Sequence, residues 1–277
     1  MTGSVVYLNG SLYPPTTTGI DPDAPGFLYG AGLFETIRIE NRQPLFLDEH
    51  LERLTNSALH LGWPPPAKET INIPFQEAIA RRGVTIGRAR LNFFQGREGF
   101  NLLLAVNDGL PYTPQEYHRG CPAAIVSIPR NQRSPLAGLK TMNYLENLLA
   151  LAEARSRGAR EALLLNLDGY LAEGSRSNLF IVSDDALYTP DPASGPLPGL
   201  ARARVLKIAT GLGLMVKEEP LPPEALATAR EAFLTNSLME ILPLTQVDGR
   251  PVGDGHPGPV TTLLQTCYQE KKAAARG

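Results

Sequence analysis

Apolar and polar positions in the first half of the chain follow two different periods, which predicts strands mixed with helices. Residues 5–13 predict a tight hairpin, because Asn9-Gly10 between two short apolar runs is typical of a two-residue turn. Residues 47–61 carry apolar side chains at helical spacing, with Asp48 as the expected cap. A second helix is expected over 74–82. Strands are expected at 33–40, 44–46, 88–95 and 102–106.

The segment 108–120 is rich in glycine, proline and polar residues, and it predicts a linker between two domains. We therefore place an N-terminal domain at 1–115 and a C-terminal domain at 116–277. Alternating strand and helix patterns continue through the second half, so the predicted class is α+β. Helices are expected at 144–157, from Pro198-Gly199 to about 211, 223–228 and 259–271. Strands are expected at 123–128, 162–166, 178–182, 214–218 and 232–235, with a hairpin at 241–252.

Composition narrows the class of protein. The 277 residues are 43% hydrophobic and 19% charged, which is typical of a globular protein. A net charge of −2 provides no basic surface for nucleic acid. No apolar run approaches the roughly 20 residues that a membrane helix needs, and the N-terminus lacks an export signal, so we expect a cytoplasmic location. The two cysteines and four histidines have no metal-ligand spacing, so no metal is expected.

Lysine is scarce in this chain, with six lysines against twenty arginines. Most of the lysines lie among polar neighbours or near the C-terminus, whereas Lys140 follows a Gly-Leu turn and directly precedes an apolar helical pattern. A lysine amine in a confined site can attack an aldehyde and form a Schiff base. An ordinary surface lysine before a helix would look the same, so Lys140 needs support from other motifs.

Glu173 supplies one such motif. It stands between the predicted turn at Asp168-Gly169 and the strand at 178–182, with small residues on both sides. Small residues let a flat ring approach the backbone. A carboxylate that faces a pyridine nitrogen keeps that nitrogen protonated and makes the ring an electron sink. A solvated turn glutamate is the alternative.

Three further features are typical of a phosphate site. A helix that opens at Pro198-Gly199 presents free backbone amides and the positive end of its dipole. Thr235-Asn236-Ser237 adds hydroxyls at the end of a strand. Arg53, on the helix after the second strand pair, can supply a guanidinium. Each feature also occurs in proteins that bind no phosphate.

These residues and several further motifs together span nearly the whole chain, and their order along it is informative. The motifs are Gly26–Arg38, His50–Leu54, Lys140 with Asn143, Glu173 with Asn178-Leu179-Phe180, Leu197-Pro198-Gly199, and Thr235–Pro243. In this order they resemble the class IV aminotransferase family, which consists of pyridoxal-phosphate enzymes of fold type IV. The resemblance implies a small N-terminal α+β domain, a larger C-terminal domain with a β-barrel-like core, and a cofactor at their interface. It also implies a homodimer that acts on a small amino substrate.

The resemblance implies a role for each matching residue. Lys140 would hold pyridoxal 5'-phosphate as a Schiff base and move protons, while Glu173 would pair with the pyridine nitrogen. Tyr144 would lie near the ring hydroxyl. The implied phosphate ligands are Arg53, Ser237 and the backbone at Leu200 and Ala201. The implied substrate contacts are Tyr29, Phe34 and Thr36, with Arg90, Arg97 and Arg176 as candidates for substrate carboxylates. For each of these three arginines a surface role is an alternative.

Three kinds of enzyme in this family are candidates for the activity of the chain. Branched-chain transaminases have one more residue between the lysine and the tyrosine, and the strand at 89–94 lacks their Tyr-x-Arg signature. D-amino-acid transaminases carry Arg-Gly where this chain has Gln95-Gly96. Lyases of 4-amino-4-deoxychorismate share the short spacing from Lys140 to Asn143. We therefore predict a lyase that releases 4-aminobenzoate and pyruvate, with a transaminase of branched-chain or D-amino acids as the alternative.

Two hypotheses lie outside this class of enzyme. The chain could be a relative that binds the cofactor without catalysis, but binding alone does not require both Lys140 and Glu173. A dinucleotide oxidoreductase is suggested by Gly30-Ala31-Gly32. That match lacks the third glycine and precedes a predicted strand instead of a helix, so it is a poor one.

Overall fold

The computed structural model describes residues 5–13, 19–184 and 186–274. It divides into two compact units: Met1–Pro111 with Leu139–Tyr144, and Tyr112–Gly138 with Leu145–Gly277. Among the described residues, every helix is too short or too polar to span a lipid bilayer. Both units combine helices with a sheet, so the predicted α+β class is confirmed.

The segment that carries Lys140 groups with the first unit, although the predicted division placed it in the second. Backbone hydrogen bonds explain the difference. The amide of Phe34 donates to the carbonyl of Lys140 at 2.9 Å, and the amide of Met142 donates to the carbonyl of Gly32 at 2.7 Å. Leu139–Tyr144 therefore lies along strand β3 (Gly32–Glu40) of the first unit.

The first unit is built on a six-stranded sheet in the order β2-β1-β6-β5-β3-β4. Its main neighbouring strands are antiparallel, including β3 with β5 and β5 with β6. The elements are β1 (Val5–Leu8), β2 (Ser11–Tyr13), α1 (Pro25–Leu28), β3 (Gly32–Glu40), β4 (Gln43–Pro44), α2 (Leu47–His60), α3 (Glu69–Arg82), β5 (Ile86–Gln95) and β6 (Phe100–Asp108). Buried side chains of α2 and α3, such as Leu51 and Phe75, pack with Ile37 of β3 in one hydrophobic core.

The predicted N-terminal hairpin is present, the cap of the first predicted helix differs from the expected one, and the second predicted helix begins earlier than expected. Asn9 and Gly10 both have positive φ values, 50° and 80°, as this two-residue turn requires. α2 begins at Leu47 after Phe46 in a left-handed conformation, so Asp48 lies in the first turn and is not the cap. α3 begins at Glu69 and continues through Pro74, because buried apolar side chains on both sides of the proline hold the helix against the core.

The second unit contains a nine-stranded mixed sheet in the order β12-β11-β10-β13-β14-β7-β8-β9, with β15 paired to β14. β7 runs parallel to both β14 and β8. The elements are α4 (Pro114–Arg119), β7 (Cys121–Ile125), α5 (Leu145–Ser156), β8 (Glu161–Leu165), β9 (Leu171–Gly174), β10 (Asn178–Ser183), β11 (Ala186–Thr189), α6 (Leu200–Gly211), β12 (Met215–Glu218), α7 (Ala225–Thr228), β13 (Glu231–Asn236), β14 (Glu240–Val247), β15 (Arg250–Pro251) and α8 (Pro259–Ala274).

Two segments of the second unit are more regular than the sequence indicates. The predicted linker at 108–120 contains α4, which begins at a capping box between Thr113 and Glu116. Glu173 lies within strand β9, whereas the prediction placed no strand between the turn at Asp168-Gly169 and residue 178. The pairing of β9 with β8 holds the backbone of Glu173 opposite Leu164. This carboxylate is therefore carried by a sheet and not by a loop.

Candidate active site

Lys140 lies beside an aromatic pair in the first unit. Its Nζ is 4.3 Å from the ring centroid of Phe34, and its carbonyl accepts the hydrogen bond from the Phe34 amide. The rings of Phe34 and Tyr144 meet edge to face, with centroids 5.3 Å apart. Phe34 is buried. The predicted catalytic lysine, one predicted cofactor residue and one predicted substrate residue therefore form a single cluster.

Arg90 joins this cluster from strand β5. Its guanidinium carbon lies 3.3 Å from the ring centroid of Phe34, and its Nε donates to Oδ1 of Asn92 at 3.0 Å. Burial lowers the pKa of Arg90 to about 10, against the opposing effect of Tyr144 and Glu35, so the group stays cationic near neutral pH. Its terminal nitrogens have no hydrogen-bond partner among the residues that the structure describes. They are suited to a carboxylate.

A buried polar cluster lies on the other face of β3, because Glu35 follows Phe34 in this strand. The carboxylate of Glu35 accepts hydrogen bonds from Arg53, at 2.8 and 2.6 Å, and lies 2.6 Å from Nδ1 of His50. Burial alone would raise the pKa of Glu35, but the charge of Arg53 and the contact with His50 lower it to about 2. Burial also lowers the pKa of His50. Arg53, the predicted phosphate ligand, is thus oriented by Glu35.

Asn143, three residues after Lys140, contacts the glycine-rich segment that precedes β3. Its side-chain amide donates to the carbonyl of Gly30 at 3.0 Å. Gly30 has a φ of 66°, a conformation that favours glycine. The side chain of Asn143 therefore anchors the glycine-rich segment that leads into β3.

The other predicted substrate residues of the first unit have different surroundings. Thr36 is half-buried and lies directly opposite Arg90 in the β3–β5 pair. Tyr29 is 72% exposed in the single chain. Arg97 is exposed, and its guanidinium binds Asp21 and Asp23 at 2.7 to 3.1 Å. Two aspartates therefore already occupy the guanidinium that the prediction offered to a substrate carboxylate.

Glu173 is buried in the second unit, and two groups hold its carboxylate. Oε2 accepts from the amide of Leu197 at 2.9 Å, and Oε1 lies 3.3 Å from Nε of Arg130. Arg130 also donates to the carbonyl of Gly195 at 3.1 Å. The sequence carried no signal for Arg130, because it lies in an irregular segment 43 residues before its partner. An oriented carboxylate of this kind is suited to a protonated ring nitrogen.

The start of α6 is shaped by a close contact. The side-chain amide of Asn178 donates to the carbonyl of Leu197 at 2.8 Å. A Cβ added at Gly199 would overlap Oδ1 of Asn178, so a larger residue there would displace the Asn178 side chain. The backbone amides of Leu200 and Ala201 belong to the first turn, where no helical acceptor is available. This helix start is suited to an anion.

The turn between β13 and β14 carries Ser237. Asn236 stabilises this turn, because its Oδ1 accepts from the amides of Leu238 and Met239 at 2.8 and 2.7 Å. Thr235, just before the turn, is fully buried, and its hydroxyl has no hydrogen-bond partner among the described residues. Thr235 lies opposite Asn178 in the β10–β13 pair, so both side chains share the sheet face that meets α6.

These groups match the parts of pyridoxal 5'-phosphate by type. Hydroxyls and helix-start amides suit the phosphate, and a fixed carboxylate suits the pyridine nitrogen. In the first unit, the amine of Lys140 suits the aldehyde. The unpartnered hydroxyl of Thr235 further indicates that this end of β13 accepts a polar ligand. The residues present therefore fit the cofactor.

Comparison with known proteins identifies the class. Residues 32–247 match the family described as amino-transferase class IV. The chain is 32% identical over 276 residues to a putative branched-chain-amino-acid aminotransferase of Methanocaldococcus jannaschii, covering 96% of this chain and 95% of that one. It is 31% identical over 281 residues to the aminodeoxychorismate lyase of Bacillus subtilis, covering 96% and 94%. This protein belongs to the class IV aminotransferase family.

Solved structures agree with this assignment. The branched-chain amino acid aminotransferase of Escherichia coli matches with a TM-score of 0.88 at 29% identity, covering 97% of this chain and 94% of that one. A second branched-chain amino acid aminotransferase, solved with pyridoxamine 5'-phosphate, matches with a TM-score of 0.90 at 29% identity, covering 98% and 95%. The predicted family, fold type and pyridoxal-phosphate-dependent enzyme class are confirmed.

Proposed function

We propose that this protein is an aminotransferase that uses pyridoxal 5'-phosphate to move an amino group between an aliphatic amino acid and a keto acid. One observation carries the proposal: a single guanidinium, that of Arg90, stacks on the ring that Lys140 also contacts. An amino acid has one α-carboxylate for Arg90. Its apolar side chain suits the aromatic surfaces of Phe34 and Tyr144.

The number of available guanidinium groups favours a substrate with one carboxylate. Of the predicted arginines in the first unit, Arg97 is bound to two aspartates. Arg88, on the same strand as Arg90, donates to the carbonyl of Gly109 at 2.8 Å. The lyase substrate, 4-amino-4-deoxychorismate, carries two carboxylates, and Arg90 is the arginine that contacts the Phe34 ring together with Lys140. This count supports the transaminase over the lyase that the sequence spacing predicts.

Each remaining residue has a defined part in the proposed reaction. When bound, the cofactor supplies the electron sink for α-carbon chemistry. Lys140 attaches the cofactor and carries the α-proton, and Tyr144 orients the ring hydroxyl. Glu173 holds a proton on the pyridine nitrogen, with Arg130 and the amide of Leu197 fixing its carboxylate. The proposed phosphate ligands are Arg53, Ser237 and the amides of Leu200 and Ala201.

The lyase remains a second candidate. The short spacing from Lys140 to Asn143 favours it, and so does the similarity to the Bacillus subtilis lyase. The requirement for a keto acid distinguishes the two candidates. A transaminase transfers the amino group to a keto acid, whereas the lyase needs no keto acid and forms 4-aminobenzoate. Assays with each substrate set therefore decide between them.

We also propose that the protein is a homodimer. In the single chain, Phe27 and Leu28 of α1 are 65% and 51% exposed, and Tyr29 follows them directly. Three adjacent exposed apolar or aromatic side chains are suited to a protein contact. Sedimentation analysis of the wild type and of Phe27→Ser tests this proposal, because a dimer that uses α1 dissociates more readily in the variant.

A further inference from the structure

The turn that carries Ser237 contains an unusual residue for its geometry. Asn236 and Glu240 are the last paired residues of β13 and β14, so three residues form the loop between them. A three-residue hairpin loop of this kind places a residue in the left-handed region, where glycine is usual. Here the residue with a positive φ is Glu240, which directly follows the loop and has a φ of 61°. A glutamate in this conformation costs free energy, so contacts with the surrounding structure must maintain it.

Helix α8 holds the side chain of Glu240. Lys272 Nζ lies 2.6 Å from Oε1 of Glu240, and Gln269 Nε2 donates to Oε2 at 2.7 Å. Both members of the ion pair are buried, with side chains 6% and 7% exposed. Gln265 donates to the carbonyl of Ile241 at 3.2 Å. Residues 265, 269 and 272 follow helical spacing and lie on one face of α8. This face of the helix therefore binds the first residues of β14.

A buried ion pair is weak evidence of net stability, because removing two charges from water is costly. Its definite consequence is geometric, since each charge must stay next to its partner. The turn is therefore held from both sides: by the amide contacts of Asn236 before Ser237, and by Glu240 after it.

We propose that Lys272, acting through Glu240, is a positioning residue for Ser237 and hence for the phosphate end of the cofactor. This inference rests on the proposed function, because Ser237 is a phosphate ligand only in that proposal. Lys272 touches neither cofactor nor substrate in this role. It fixes the left-handed conformation of Glu240, and that conformation sets the path of the turn.

Binding of two forms of the cofactor tests the role. Pyridoxal 5'-phosphate needs the phosphate site, whereas pyridoxal reaches Lys140 without it. Lys272→Met is expected to raise the Kd of pyridoxal 5'-phosphate about tenfold, the scale of a lost hydrogen bond to a charged group, and to leave the Kd of pyridoxal unchanged. Lys271→Met is the matched control, because Lys271 is exposed on the same helix. It should leave both Kd values unchanged.

A purely structural role would change both Kd values by the same factor. Equal weakening of both ligands in Lys272→Met, or no weakening of either, overturns the inference. If Lys272→Met does not fold, Gln269→Met provides the test, because it removes one anchor of Glu240 without leaving a buried charge unpaired. It should raise the Kd of pyridoxal 5'-phosphate about threefold and spare pyridoxal.

Failure of the inference is distinguishable from failure of the proposed function. Wild-type protein that binds pyridoxal 5'-phosphate no better than pyridoxal contradicts the phosphate site itself, and the positioning role falls with it. Wild-type protein that prefers the phosphorylated form, together with a Lys272→Met variant that keeps the same preference, contradicts only the role of Lys272.

Discussion

The guanidinium of Arg53 contacts both carboxylate oxygens of Glu35, with Nε–Oε1 at 2.8 Å and Nη2–Oε2 at 2.6 Å. This two-point contact fixes the plane of the guanidinium. A pre-oriented arginine loses little side-chain freedom when it binds an anion. Glu35 therefore prepares Arg53 for the phosphate that we propose it binds.

Replacing Glu35 should destabilise the protein in a pH-dependent way. Glu35→Gln leaves Arg53 and His50 without their buried carboxylate, and we expect a loss of about 3 kcal/mol in the free energy of unfolding at pH 7. The folded pKa of Glu35, about 2, lies below the ordinary value of 4.5. Its stabilising effect is thus full above pH 4.5 and declines as pH falls toward 2.

Urea unfolding of the wild type and Glu35→Gln at pH 7 and at lower pH measures this effect. The difference between the two proteins should shrink in acid. Glu52→Gln is the control, because Glu52 is exposed on α2, the helix that carries His50 and Arg53, and it should change little. Equal stability of Glu35→Gln and the wild type at pH 7 would contradict the account.

Lys140→Ala should abolish turnover and the visible absorption of the lysine-linked cofactor while the protein stays folded. The amine is the group that attaches the cofactor and carries the proton. Lys68→Ala, at an exposed lysine of the first unit, should keep both signals. Absorption spectra, circular dichroism and initial rates check the prediction. Residual turnover near the wild-type rate in Lys140→Ala would exclude this lysine as the catalytic one.

Arg90→Gln should raise KM for the amino acid by about tenfold or more, because a charged hydrogen bond to the carboxylate is lost. Arg97→Gln should leave KM nearly unchanged, since Arg97 binds Asp21 and Asp23. Steady-state kinetics with one amino acid at a fixed keto-acid concentration measures both. A larger effect at Arg97 than at Arg90 would reverse the assignment of the carboxylate site.

Glu173→Gln should still bind the cofactor but lower kcat about a hundredfold, the scale on which one fixed electrostatic contact acts. A neutral amide does not hold a proton on the pyridine nitrogen. Glu146→Gln, at an exposed glutamate of the same unit, is the control. An unchanged kcat in Glu173→Gln would remove Glu173 from the reaction.

Local patterns in the sequence predicted much of the fold. Asn9-Gly10 specified its hairpin, and Pro198-Gly199 marked the start of α6, because turn and helix-start chemistry depends on adjacent residues. The cap of α2 was predicted wrongly at Asp48. Backbone conformation at Phe46, which no neighbouring residue signals, sets the start of that helix.

The candidate site was predictable as a set of residues but not as a set of contacts. The motif containing Lys140 identified the lysine, yet its position along β3 depends on backbone bonds between residues more than a hundred positions apart. The residues that bind Arg97 and Glu173 could not be predicted from the sequence either. Side-chain pairing across such separations follows from the fold, and local periodicity does not encode it.

Product analysis shows directly whether the protein transfers an amino group or acts as a lyase. Purified protein with pyridoxal 5'-phosphate receives a panel of L- and D-amino acids with a keto acid in one set of samples, and 4-amino-4-deoxychorismate in another. We predict rapid transfer of the amino group from an aliphatic amino acid to the keto acid, without formation of 4-aminobenzoate. Rapid release of 4-aminobenzoate and pyruvate, with slow amino transfer, would contradict it and establish the lyase.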